Sequence, residues 1–216
     1  MTNQKTYKPQ RCVYEATLAC NLQCRHCGSR AGKARPDELT TAEAEDLFTQ
    51  LVELGCKRVT ISGGEPLMRP DWPELIAAAT RSGLATAMIS NGLKLDLDTA
   101  KRAKASGLRT VGISLDGVGR THDLIRGRIG HFDAVARAMD SAAAAGLAFT
   151  AITTINSLNL HELEQIYRFV RDQGAFSWQV QTAAEMGNML DNPSLHLRPR
   201  DMLLIERDLA ELIRRD

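Results

Sequence analysis

The sequence predicts an α/β protein in which parallel strands alternate with helices, and three observations support this. Six short apolar runs alternate with amphipathic stretches, those stretches carry helix start and stop signals, and the apolar runs are nearly continuous. Strands that alternate with helices are joined by right-handed crossovers and are therefore parallel. Nearly continuous apolar strands are typical of a sheet that is covered on both faces. Such units predict an open or partly closed barrel.

Each predicted strand is a short apolar run that ends at polar or glycine residues. The predicted strands are Cys12–Ala19, Arg58–Ser62, Ala85–Ser90, Thr110–Leu115, Ala148–Ile155 and Ser177–Thr182.

The helices between these strands are predicted from their terminal signals. Thr40 and Glu43 form a candidate capping box, and Gly55 ends the helix that they start. The other start signals are Asp71 with Glu74, Asp96, His131, and Asn159 with Glu162, and the matching stops are Gly83, Gly107, Gly146 and Gly174. A last amphipathic helix is predicted over Arg200–Arg215.

Composition excludes several classes of function. The chain has 216 residues, of which 44% are hydrophobic, which suits one sizeable core. Its 27 Lys and Arg nearly cancel its 26 Asp and Glu, and aromatic residues make up only 5%, so neither nucleic acid nor an anionic membrane is an expected partner. The sequence contains neither a long apolar span nor the apolar core of a signal peptide, which predicts a cytoplasmic protein.

A cluster of three cysteines follows the first predicted strand. Cys20, Cys24 and Cys27 stand at C-x3-C-x2-C spacing, too close together to suggest a disulfide framework. In a reducing compartment such a cluster more often binds metal. Iron–sulfur carriers and structural zinc sites usually use four ligands. Three thiolates would leave one iron of a cubane with an open coordination position, which suits chemistry better than electron storage.

The alternative for this motif is a zinc site of three cysteines and one histidine. His26 lies between two of the proposed ligands and is badly placed to be the fourth. Cys12 and Cys56 are isolated and are more typical of small buried residues. The remaining candidate donors are His122, His131, His161 and His196.

Four further motifs follow successive predicted strands or lie just beyond them. They are Gly63-Gly64-Glu65-Pro66, Ser90-Asn91-Gly92, Ile113-Ser114-Leu115-Asp116-Gly117 and His122-Asp123-Leu124-Ile125-Arg126-Gly127. With the cysteine motif, they make the chain resemble the radical S-adenosylmethionine superfamily from about Arg11 to Met189. Taken singly, the glycines fit a tight turn, Ser114 and Asp116 a cap, and Arg126 a surface charge.

The resemblance implies a (β/α)6 partial TIM-like barrel with parallel strands, a [4Fe–4S] cluster and S-adenosylmethionine. Cys20, Cys24 and Cys27 would hold three irons, and the methionyl amino and carboxylate groups would chelate the fourth. One-electron cleavage would then give methionine and a 5′-deoxyadenosyl radical that abstracts hydrogen from the substrate. The resemblance also implies a flavodoxin- or ferredoxin-type electron donor.

The resemblance assigns the other site residues to S-adenosylmethionine. His26 would lie against the adenine, and Arg126 would pair with the carboxylate through its donor fork. Glycine permits close backbone approach to the ammonium. The residues expected around the ligand are Gly63, Gly64, Glu65, Pro66, Ser90, Asn91, Ser114 and Asp116, the last two near the ribose or the methionyl end.

The end of the predicted barrel is most similar to SPASM-type members of the superfamily, which act on peptides or on cofactor precursors. The similar stretches are Trp178–Gln181 and Met186–Met189, but no cysteine follows Cys56. We therefore expect an extension over residues 1–10, a core over 11–190 and a C-terminal helix in 191–216 that starts a missing domain. The substrate is expected to be a peptide or a small molecule. The alternative is a catalytically silent module that binds a partner.

Overall fold

A computed structural model describes residues 7–215, so residues 1–6 of the expected extension lie outside the described part. Six strands form one sheet in the order β1-β2-β3-β4-β5-β6, and each neighbouring pair is parallel. The strands are β1 Arg11–Thr17, β2 Arg58–Gly63, β3 Ala85–Ser90, β4 Thr110–Ser114, β5 Ala148–Ile155 and β6 Ser177–Thr182. The predicted α/β class and the partial barrel of parallel strands are confirmed.

Helices connect the strands in the predicted alternation. They are α1 Thr41–Glu53, α2 Trp72–Arg81, α3 Leu97–Ala105, α4 Arg120–Arg126, α5 His131–Ala144, α6 Leu163–Asp172 and α7 Pro199–Arg215. The capping box of α1 is present, because the Thr40 hydroxyl accepts from the Glu43 N–H and the Glu43 carboxylate accepts from the Thr40 N–H. Asp96 caps α3 by accepting from the N–H of Thr99 at 2.8 Å.

Three local predictions about helices were wrong or incomplete. Asp71 precedes α2, but its carboxylate binds Arg69 and Thr41 and does not cap the helix. The predicted capping pair before α6 is also absent, because Glu162 accepts from the Val118 N–H instead. The sequence predicts no helix between β4 and His131, whereas the structure has α4 there. Its seven residues are too few to show a clear apolar period.

The hydrophobic core lies between the sheet and its outer helices. Val59 and Ile61 of β2 are fully buried there, and each such side chain contributes about 1.5–3 kcal/mol through burial. Because side chains alternate along a strand, Arg58 and Thr60 point to the opposite, inner face of the barrel. That face was expected to be covered, but Val13 on β1 is 67% exposed. Among the described residues, the inner face is therefore exposed at β1.

A second, smaller hydrophobic cluster lies between α6 and α7. Ile205 and Leu212 of α7 pack with Leu163 of α6. The amphipathic helix itself was predicted, and its packing against α6 was not. None of the helices over residues 7–215 combines the length and the apolar character that are needed to cross a lipid bilayer.

Candidate active site

The carboxyl ends of the strands surround a cavity of about 460 Å³. Loops of parallel β/α units collect at this end, where active sites of barrels are found. The cavity is lined by residues that the sequence predicted, namely Cys20, Cys24, His26, Cys27, Gly63, Gly64, Asn91 and Arg126. The cavity is also lined by Thr154 and Gln181, each one residue before the end of its strand, β5 or β6. The sequence placed Gln181 in a stretch similar to SPASM-type members but predicted neither residue as part of the site.

Three N–H donors face the three cysteine sulfurs. The backbone N–H of Ala31 lies 3.4 Å from the Cys27 sulfur, and the Asn91 amide lies 3.9 Å from that of Cys20. The Arg126 guanidinium lies 3.8 Å from the Cys24 sulfur. Burial raises the pKa of the Cys20 and Cys24 thiols, and the Arg126 charge opposes this rise at Cys24. Donors of this kind stabilise a thiolate, which is the form that binds metal.

The three cysteine thiols lie around one cavity. All three thiols line the same cavity, yet no three Cys, His, Asp or Glu side chains among residues 7–215 converge on a single metal position. A cubane takes one thiolate at each of three corners, so it fits ligands that stand apart around a cavity. A tetrahedral zinc ion requires its ligands to meet at one point, so metal analysis of the protein distinguishes the two groups.

The loop that carries the cysteines is fixed at both ends. The N–H of Cys20 donates to the carbonyl of Gly32 at 3.1 Å, which closes the loop on itself. A second segment, residues 186–192, crosses the loop after β6, and we call it the strap. The Asn188 backbone N–H donates to the Cys27 carbonyl at 2.8 Å. The Asn192 side-chain amide donates to the carbonyl of Arg25 at 3.1 Å.

Gly63 and Gly64 allow the end of β2 to approach the end of β1. A Cβ atom on Gly63 would lie 2.2 Å from the Thr17 carbonyl oxygen, and one on Gly64 would lie 2.4 Å from that of Ala19. Gly63 also has a φ of 151°, which L residues rarely adopt. The glycines were predicted for close approach to a ligand. The structure adds that their nearest neighbours are the backbone of Thr17, at the end of β1, and that of Ala19, just before the first cysteine.

Glu65 lies beneath the cavity and joins the ends of β2 and β3. Its carboxylate accepts from the Ser90 hydroxyl at 2.9 Å, from the Asn91 N–H at 2.7 Å and from the Leu67 N–H at 3.2 Å. Burial raises the pKa of Glu65. Pro66 begins a short 3₁₀ turn behind it. Glu65, Pro66 and Ser90 are therefore buried supports of the site, and they do not line the cavity.

Asp116, Arg126 and His26 form a buried ionic group, in which His26 and Arg126 line the cavity and Asp116 lies behind them. One Asp116 carboxylate oxygen lies 2.6 Å from Arg126 Nε and 3.1 Å from His26 Nε2. Burial alone would raise the pKa of Asp116, but the charge of Arg126 and then that of His26 outweigh it and hold the pKa well below its usual range. Arg126 is buried, so the surface-charge interpretation of this residue is wrong.

His26 has one ring nitrogen left for a ligand. Nδ1 of His26 is buried and has no hydrogen-bond partner within residues 7–215. A buried polar atom without a partner costs about 1–3 kcal/mol, so a bound group that contacts it would be favoured. Ser114 was predicted near the ligand, but it lies buried at the end of β4 and does not line the cavity.

Two histidines connect the ends of β3 and β4, and the sequence did not predict this pair. His122 Nδ1 accepts from the Asp116 N–H at 3.0 Å, and His122 Nε2 lies 2.7 Å from His131 Nδ1. His131 Nε2 in turn lies 3.0 Å from the Asn91 carbonyl oxygen. This order of contacts is satisfied when each ring is neutral with its hydrogen on Nε2. Burial lowers the pKa of His122 to about 3 and that of His131 to about 4.

Comparison with known proteins identifies the family of this chain. The family model described as the radical SAM superfamily matches residues 14–170. The chain is 36% identical over 162 residues to Fe-coproporphyrin III synthase of Methanosarcina barkeri, covering 74% of this chain and 41% of the relative. It is 38% identical over 165 residues to a mycofactocin maturase of Mycobacterium tuberculosis, covering 76% of this chain and 42% of the relative.

A solved structure shows the same fold. The crystal structure of Streptococcus suis SuiB bound to S-adenosylmethionine superposes with a TM-score of 0.82 at 16% identity, over 96% of this chain and 48% of that one. The chain spans less than half the length of each of these three proteins.

Proposed function

Because the chain belongs to the radical SAM superfamily, we propose that it binds a [4Fe–4S] cluster on Cys20, Cys24 and Cys27 and cleaves S-adenosylmethionine reductively. The observation that carries this proposal is the set of three thiols around one cavity, each faced by an N–H donor. When bound, the two cofactors would supply one-electron cleavage of the sulfonium and abstraction of a hydrogen atom from the substrate.

The residues of this chain orient the cofactors and exclude water from them. We assign His26, with its unpartnered Nδ1, to the adenine, and Gly63 and Gly64 to the methionyl ammonium. Arg126 is assigned to the carboxylate through guanidinium N–H groups that Asp116 does not use. Asp116 is then a positioning residue, because it fixes both Arg126 and His26.

The remaining assigned residues support these contacts from behind. Glu65, held by Ser90 and Asn91, sets the ends of β2 and β3, and Pro66 and Ser114 complete the motifs at the strand ends. We place the core of the radical SAM domain at residues 11–190 and regard 191–216 as the segment that leads out of it. A reducing cytoplasm would keep the thiols available, and a flavodoxin- or ferredoxin-type protein would supply the electron.

The proposed substrate is a peptide or a cofactor precursor. The two relatives described above differ in this respect, since one is named for Fe-coproporphyrin III and the other for the maturation of mycofactocin. In this chain the cavity is also lined by two neutral hydrogen-bonding groups, the Gln181 amide and the Thr154 hydroxyl. The amide donates to the hydroxyl at 3.1 Å. Groups of this kind can bind amides, which supports a peptide.

The test is anaerobic reconstitution with iron and sulfide, followed by measurement of 5′-deoxyadenosine after addition of dithionite and S-adenosylmethionine. We expect product from the parent chain and none from Cys24→Ala. Cys12→Ala is the matched control, because Cys12 lies on β1 and does not line the cavity. A [4Fe–4S] spectrum without product would support the catalytically silent module instead. One zinc per chain and no iron would overturn the cluster assignment.

A further inference from the structure

A second cavity opens at the other end of the barrel and is rich in arginine. Its volume is about 400 Å³, and Arg11, Arg58 and Arg109 line it at the amino ends of β1, β2 and β4. Thr60, Ala87 and Thr110 are among the small side chains that complete its wall. We call this cavity the lower mouth.

The arginines of the lower mouth have no carboxylate partner among residues 7–215. The ion pairs of the described chain use other cations. Arg11 and Arg58 are direct neighbours in the register of β1 and β2, and like charges in such positions repel each other. Because the whole chain carries a net charge of only +1, the cluster is a local concentration of positive charge.

An adjoining cavity extends the same charge. Its volume is about 470 Å³, and it shares Arg58 and Arg109 with the lower mouth and adds Lys57. The amino end of a barrel usually serves stability, yet an unpaired set of cations works against stability. Guanidinium groups match phosphate and carboxylate oxygens with two parallel hydrogen bonds. A bound oxyanion would therefore remove the repulsion and use the donors that are present.

The lower mouth and the cofactor cavity lie at opposite ends of one inner surface. Arg58 and Thr60 share the inner face of β2, and Gly63 at the end of the same strand lines the cofactor cavity. Five residues of extended chain span about 16 Å. A molecule whose charged end lies in the lower mouth can therefore present its other end to the cofactors.

We propose that the lower mouth binds the anionic end of the substrate through its phosphate or carboxylate groups. That the bound molecule is the substrate rests on the proposed function, whereas the binding of an oxyanion by these arginines does not. The expected ligand is a molecule with two or more negative charges, grouped at the end that is remote from the reacting carbon.

The test is calorimetric titration of the cluster-free 216-residue chain with inorganic pyrophosphate and, separately, with citrate. We expect one probe or both to bind, with an affinity that falls as salt rises. Arg58→Gln should weaken binding roughly tenfold, since it removes a charged pair of hydrogen bonds. Arg137→Gln is the matched control, because Arg137 is exposed on α5 and lines neither cavity of this end.

Each outcome decides the proposal. Tighter binding of pyrophosphate identifies a phosphate end, and tighter binding of citrate identifies a carboxylate end. The absence of binding by both probes overturns the proposal, as does an equal loss of affinity in Arg58→Gln and Arg137→Gln. Because the titration uses no iron, its result is independent of whether the reconstituted chain forms 5′-deoxyadenosine, so failure of the proposed function is read separately.

Discussion

The side-chain amide of Asn188 donates a hydrogen bond of 2.9 Å to the carbonyl of Cys24, although 164 positions separate the two residues. The backbone N–H of Asn188 bonds the Cys27 carbonyl at 2.8 Å, so one strap residue binds two of the three cysteines. Gly187 permits this crossing, because a Cβ there would lie 2.3 Å from the Cys27 carbonyl oxygen. The cysteine loop is thus held by the segment that follows β6.

Asn188→Ala should make the bound cluster more labile, because the Cys24 carbonyl loses its donor and the loop gains freedom. We expect faster loss of iron to a chelator, followed by the decay of visible absorbance under anaerobic conditions. Gln50→Ala is the control, since Gln50 is an exposed amide on α1. Equal rates of iron loss in the two variants would show that the strap does not stabilise the loop.

Gly64→Ala should destabilise the fold at the junction of β1 and β2. Its Cβ would lie 2.4 Å from the Ala19 carbonyl oxygen, so the backbone must move, and overpacking of this kind costs about 1–3 kcal/mol. Gly32→Ala is a close control, because Gly32 pairs with Ala19 in the same loop and a Cβ there meets nothing within 4 Å. The measurement is the free energy of unfolding in urea, and similar values for the two variants would contradict the steric argument.

The strands and the cysteine motif were predictable because their signals are local. The apolar runs placed β1 to β6 within two residues at each end, and the capping box of α1 needs only residues three apart. The predicted box before α6 failed for the opposite reason. Asn159 donates to the Asp116 carbonyl, 43 positions away, and Glu162 accepts from the Val118 N–H, 44 positions away. Both side chains therefore make tertiary contacts and do not cap the helix.

The motifs that the sequence placed at the strand ends lie together in the structure, but the sequence did not predict the contacts that support them. Motif order placed the cysteines, the glycines and Arg126 around one end of the sheet. The ion pair of Arg126 with Asp116 and the strap contact of Asn188 depend on distances that a single sequence does not contain. Two arginines of the lower mouth start β1 and β2 and the third immediately precedes β4, and only the pairing of the strands brings them together.

Asp116→Asn should strongly destabilise the cluster-free chain. The change leaves the buried Arg126 guanidinium without a counter-charge, and loss of one partner from a buried pair costs about 3–5 kcal/mol. Asp140→Asn, on the exposed surface of α5, should change the free energy of unfolding by less than about 0.5 kcal/mol. Urea denaturation at neutral pH measures both. A loss no larger than that of Asp140→Asn would mean that Asp116 does not stabilise the buried guanidinium.

Stability should decrease between pH 7 and pH 5 because His122 and His131 stay neutral in the fold. Burial, followed by the charge of Arg126, lowers the pKa of His122 to about 3 and of His131 to about 4, whereas unfolded histidine titrates near 6.5. As pH falls below 6.5 the unfolded chain binds protons that the folded chain does not, so folding loses free energy until the folded pKa values are reached. The expected decrease is about 4 kcal/mol, because each of the two groups contributes about 2 kcal/mol over this range.

The measurement for this histidine pair is urea unfolding at pH 7, 6 and 5, with two variants for comparison. His131→Gln should flatten the dependence on pH, because one depressed pKa is removed and an amide can still bond the Asn91 carbonyl. His161→Gln removes an exposed histidine and should leave the slope unchanged. If both variants keep the slope of the parent chain, the loss of unfolding free energy at acidic pH arises from groups other than His122 and His131.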